Sequence, residues 1–91
     1  MDYYEVKQAV REAVKAYPSI PNPLSGVNFM TSEVVKTIKT PKGLGCEISL
    51  GERMLSPGYV VGVTLFNGEG ETLRNSSCIE VKDLPLLLSN L

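Results

Sequence analysis

The chain is 91 residues long, 43% hydrophobic and 21% charged, with a formal net charge of −1. That is room for one domain (residues 1–91), too apolar for a disordered chain and too neutral for the strongly basic footprint of a nucleic-acid reader. No apolar run reaches the ~18–20 residues that cross a bilayer, the start lacks a signal-peptide pattern, and two cysteines are too few for a disulfide scaffold, so the expected setting is the reducing cytoplasm.

In chain order, Asp2 and Glu5 have the spacing of a helix-opening cap, in which a side-chain oxygen satisfies an orphan amide of the first turn. Behind them Val6, Ala9, Val10, Ala13, Val14 and Tyr17 recur at three- and four-residue intervals, with Lys7, Gln8, Arg11, Glu12 and Lys15 between. The pattern predicts an amphipathic helix with one buried stripe, ended by Pro18. Residues 18–26 hold three prolines and a glycine and read as a stiff crossover, pinned by Ile20 and Leu24. Val27–Met30 reads as a short strand. Thr31–Thr40 carries two patterns: Val34, Val35 and Ile38 fit a helical stripe after Ser32, but the β-branched content of 34–38 favours a strand.

Pro41-Lys42-Gly43 supplies turn chemistry. After it Leu44, Cys46, Ile48 and Leu50 alternate with Gly45, Glu47 and Ser49, as expected of a strand with one wet face. Ser56-Pro57-Gly58 closes the next connection. Tyr59, Val61, Val63 and Leu65 then share one face and Val60, Gly62, Thr64 and Phe66 the other, both largely apolar, which predicts a central strand. Gly62 marks a bend or a close backbone approach. Asn67-Gly68 is a hairpin signal, because both residues tolerate the positive φ of a twist-matched turn. Arg74-Asn75-Ser76-Ser77 reads as a bulge or second bend in the returning strand, and Asp83 as the cap of a leucine-rich helix with Pro85 in its first turn.

Catalytic signatures are sparse. The chain has no histidine, which removes the usual general base and the imidazole metal ligands. Cys46 and Cys78 lie too far apart in sequence, and without a third ligand type, to suggest zinc. Cys46 belongs to an apolar strand face and reads as a buried inert thiol; Cys78, after Arg74 and two serines, is the better candidate for a reactive thiol, with a packing role the stronger reading. Glu47, Glu52, Glu69, Glu71 and Glu80 lack the spacing of a metal loop, and Lys42-Gly43-Leu44-Gly45 is shorter than a phosphate loop. Lys36, Lys39 and Lys42 form a weak basic stripe, expected to face solvent. The expectation is therefore a protein with no catalytic residues, no metal and no cofactor.

Two surfaces invite a binding role. Arg74, Asn75, Ser76 and Ser77 interrupt an apolar strand with hydrogen-bond donors, and Arg can clamp a carboxylate or phosphate, so these four are the predicted site for a small anionic or nucleotide-like ligand. Leu84, Leu87, Leu88 and Leu91 are apolar on nearly every side of a two-turn helix, which must either dock on its own sheet or cover a neighbouring subunit.

The predicted fold is α+β: an N-terminal helix on a four- to five-stranded, mainly antiparallel sheet, closed by a short C-terminal helix, with a small SH3-like β-barrel plus helix as the alternative. The predicted function is a non-catalytic interaction protein that binds and blocks a protein partner, in the style of a phage or mobile-element accessory protein or inhibitor, as a small homo-oligomer. The alternative is ligand sequestration, at a subunit interface. Neither membrane nor nucleic acid is an expected partner.

Overall fold

The computed structural model describes residues 2–21, 32–53, 55, 57–78 and 80–91. The strand expected at Val27–Met30 and the anchor at Leu24 lie outside them.

Helix α1 spans Tyr3–Val14. Asp2 is extended and its Oδ1 accepts from the Glu5 amide at 2.8 Å, which is the predicted cap. Val10 and Val14 are fully buried, with Val6, Ala13 and Tyr17 packed around them. The helix stops before Pro18 is reached. The Tyr17 amide turns back onto the Val14 carbonyl at 3.0 Å, and Lys36 Nζ donates to the carbonyls of Val14 (3.1 Å) and Tyr17 (2.7 Å). A cation on orphan C-terminal carbonyls satisfies them and opposes the helix dipole. Lys36 therefore belongs to no solvated stripe; half-buried, it ties the helix to the sheet.

Four strands follow, β1 (Ser32–Lys39), β2 (Gly45–Glu52), β3 (Tyr59–Phe66) and β4 (Thr72–Cys78), in an antiparallel meander whose spatial order is the sequence order. The two-pattern segment before Thr40 is thus a strand, with a register shift between Val34 and Lys36. The sheet is open, with β1 and β4 at opposite margins, so the barrel alternative is set aside. Gly62 makes no barrel corner. It pairs with Ser49, whose Oγ lies 2.5 Å from where a Cβ on Gly62 would stand. The glycine is the close approach of the two options the sequence offered.

The two hairpin turns repeat one design. In Thr40–Leu44 the first amide donates to the fifth carbonyl (2.7 Å), the fourth amide to the first carbonyl (2.9 Å), and the fifth amide to Thr40 Oγ1 (3.1 Å). In Asn67–Glu71 the corresponding distances are 3.0 Å, 3.0 Å and, to Asn67 Oδ1, 3.0 Å. Gly43 and Gly70 hold the fourth position at φ 87° and 82°, the left-handed region that favours glycine. The second turn thus corrects the expectation at Asn67-Gly68. Neither residue adopts a positive φ; Asn67 works through its side chain, as an Asx turn does.

A 3₁₀ turn (Val81–Asp83) leads into helix α2 (Leu84–Ser89). Asp83 precedes α2 but forms no side-chain cap. It is already helical at φ −84°, ψ −12°, whereas a capping residue sits in the extended region. One core joins Val10 and Val14 of α1, Ile38, Cys46, Ile48, Leu50, Val61, Val63 and Leu65 of the sheet, and Leu84, Leu88 and Leu91. Both helices cover this face. The other carries Thr37, Glu47, Ser49 and Thr64, with the Phe66 ring lying over Gly45 so closely that a Cβ there would meet it at 2.1 Å.

Candidate functional site

The structure separates the predicted ligand cluster. β4 runs without a bend from Arg74 to Cys78, and its register shift falls earlier, at Leu73, between the pairs Leu65–Arg74 and Phe66–Thr72. Because successive strand residues point to opposite faces, Arg74 and Ser76 stand opposite Leu65 and Val63 on the helix-bearing face, while Asn75 and Ser77 stand opposite Thr64 and Gly62 on the other. Asn75 Oδ1 accepts from Thr64 Oγ1 at 2.9 Å. The four residues do not converge on one point, so they form no single pocket. The bulge or second bend expected at residues 74–77 is replaced by continuous pairing with β3.

Of the two readings of the C-terminal leucines, the structure places them against their own chain. Leu84 and Leu88 are 0% exposed and Leu91 only 6%, all in the chain's own core, and Leu87 packs against it. Buried side chains have no surface to offer a second subunit. The leucine that faces out is Leu86, 69% exposed.

The reactive groups weighed in the sequence are placed as follows. Cys46 is fully buried, and burial first, then the charge of Glu47, pushes its thiol up to about 12, leaving it protonated and inert at neutral pH. The Cys78 side chain lies outside the described residues. The glutamates are dispersed: Glu47 sits on the open face of β2, Glu69 and Glu71 on the second hairpin turn, and Glu80 pairs with Lys82 at 2.9 Å. Among the described residues no three His, Cys, Asp or Glu side chains cluster as metal ligands.

Two features remain available for recognition. The first is the outer edge of β4. β1 is sheltered at its far edge by the start of the Pro-rich segment: Ser19 bridges Ile38, the Ile20 amide donates to the Thr37 carbonyl at 3.0 Å, and the Lys39 amide to the Pro18 carbonyl at 3.4 Å. β4 pairs with β3 alone among the described residues, and Thr72–Asn75 and Ser77 are exposed.

The second is a cleft of about 490 Å³ where α1, the β2–β3 connection and the 3₁₀ turn meet. Val6, Ala9, Val81 and the Tyr59 ring give it an apolar floor, and Arg53 and Lys82 bring two cations to its walls. Tyr59 is held in place from α1. The Tyr3 ring meets it edge to face at 5.6 Å, the Tyr3 hydroxyl donates to Glu33 Oε2 at 2.9 Å, and Lys7 pairs with the other Glu33 oxygen. These bonds, from Lys7 first and Tyr3 second, hold the Glu33 carboxyl below its ordinary value, while burial and then Glu33 raise the Tyr3 phenol. Sequence reasoning missed this site because its parts come from α1, from Arg53 and Tyr59, and from Glu80 to Lys82. No local spacing joins them; only the docking of α1 on the sheet does.

Comparison with known protein families, with curated proteins and with solved structures finds no match to this chain. No helix among the described residues is long and apolar enough to cross a membrane.

Proposed function

We propose that the chain is a non-catalytic interaction protein that binds by strand addition at the outer edge of β4, first to a second copy of itself, and that the resulting homo-oligomer binds and blocks a partner protein. The edge of β4, which among the described residues pairs with nothing beyond β3, carries this reading. An open edge is a row of unpaired amides and carbonyls, and proteins that do not use one blunt it with proline, lysine or a cover. β4 has no proline and no lysine, and Arg74 is its one charge. Antiparallel self-pairing centred near Asn75 opposes Arg74 to Ser76 and Leu73 to Ser77, so no like charges face each other. The threonine, asparagine and serine side chains suit such a polar seam. A reducing cytoplasm fits the buried, protonated Cys46, and blocking a host factor in the manner of a mobile element's accessory protein is the task this reading suits.

The test is sedimentation equilibrium on the wild type and on a Thr72→Lys/Ser77→Lys double variant, whose added charges use nature's own means of blunting an edge. The expected result is a dimer for the wild type at micromolar concentration and a folded monomer for the variant, whose thermal midpoint, unlike that of the wild type, does not rise with protein concentration. A wild type that stays monomeric, or a variant that still dimerises, overturns it.

A further inference from the structure

We infer that the cleft between α1, the β2–β3 connection and the 3₁₀ turn is a binding site for a small aromatic anion, a flat apolar body bearing one phosphate or carboxylate. Its volume, about 490 Å³, lies within the range of small-molecule sites, and its lining has their usual make-up, apolar surface with a few placed polar groups. The charge is unbalanced. Among the described lining residues Glu80 is the one acid, and it is engaged by Lys82 at 2.9 Å. Arg53 lines the cleft, is half-buried, and among the described residues has no ion-pair partner, so its charge is uncompensated there.

A partly desolvated guanidinium favours an anion that accepts two parallel hydrogen bonds, which phosphate and carboxylate both do. Lys82, mostly exposed at the rim, has further ammonium donors beyond its bond to Glu80. The floor selects the rest of the molecule. Val6, Ala9 and Val81 offer a smooth apolar surface, and Tyr59, fixed by its edge contact with Tyr3, offers a ring for stacking. Ala9 is the residue that leaves the floor open; a larger side chain there projects from α1 into the space. Arg53, rather than Arg74, is thus the arginine that meets an anion inside a pocket. This site is independent of the β4 edge and stands whether or not the chain dimerises.

The experiment is an NMR titration of the ¹⁵N-labelled protein with phenyl phosphate, benzoate and inorganic phosphate, repeated on Arg53→Gln, Ala9→Leu and, as a control, Arg74→Gln. The expected result is saturable shifts of the Val6, Ala9, Tyr59 and Val81 amides with at least one aromatic anion. The tighter of the two identifies the head group. Losing one charge-assisted pair weakens binding about tenfold or more in Arg53→Gln; Ala9→Leu weakens it through the floor, and Arg74→Gln leaves it unchanged. Absence of saturable shifts with either aromatic anion overturns the site. So does equal affinity in wild type and Arg53→Gln, or inorganic phosphate binding as tightly as the aromatic anions.

Discussion

The two margins of the sheet are opposites. At β1 several kinds of interaction meet: the Pro18–Ile20 strip pairs along its edge, Lys36 caps α1, Glu33 is held by Tyr3 and Lys7, and Ile38 is wholly buried. At β4, among the described residues, there are the ladder to β3 and one side-chain bond, Thr64 to Asn75. Stability is therefore invested at one end of the sheet and availability at the other. A domain this small, which buries only about 60–65% of its unfolded surface, cannot armour both margins.

The largest expected effect probes the armoured side. Ile38→Ala removes a fully buried side chain and leaves a cavity, costing about 3 kcal/mol, whereas Leu73→Ala on half-exposed β4 costs ~0.5 kcal/mol or less. Chemical denaturation of both variants reads the gap, and similar losses at the two sites would erase the contrast. Next comes Lys36→Met, which keeps the stem but strands the Tyr17 carbonyl and leaves the Val14 carbonyl with only the Tyr17 amide; about 1–2 kcal/mol is expected. Its signature is early hydrogen exchange at the end of α1, and unchanged protection there would mean that water replaces the lysine at no cost.

The smallest effect is electrostatic. The Glu33 carboxyl is held below its ordinary value of 4.5 in the folded chain, so it contributes stability above that value and loses it as pH falls through the lowered one. The thermal midpoint of the wild type should exceed that of Glu33→Gln at neutral pH, and the gap should close on acidification below the ordinary carboxylate range. A gap independent of pH would assign the loss to packing. Since Glu33 is exposed, the effect is small.

What was legible in the sequence follows the reach of each signal. The α1 stripe, the alternation at Leu44–Leu50 and the two faces of Tyr59–Phe66 are periodic, so each element carries its own description. The leucines of α2 announced burial just as clearly, but not in what. Periodicity says that a side chain must leave water, and only the assembled core shows that Leu84, Leu88 and Leu91 do so within their own chain. Lys36 was read as solvated because a charge on a strand normally is; its partners are carbonyls 22 and 19 residues away, released by the end of a helix. Arg74 to Ser77 looked like an interruption because polar residues in a central strand would be one. They lie on an edge strand, where polar side chains meet water at no cost. The cleft was invisible because Arg53, Tyr59 and Lys82 mean nothing together until α1 is docked.

The twin turns have a consequence in time. Thr40–Leu44 and Asn67–Glu71 each close with bonds among five consecutive residues, so each reversal can form before anything distant arrives. Each strand then zips onto the one beside it in sequence, and hairpins form within about 1–10 μs. What waits is the meeting of α1 with α2, drawn from opposite ends of the chain, and with it the last of the core. The expected order is therefore hairpins first and the cleft last, since its lining joins Val6 and Ala9 to Val81 and Lys82 from opposite ends of the chain.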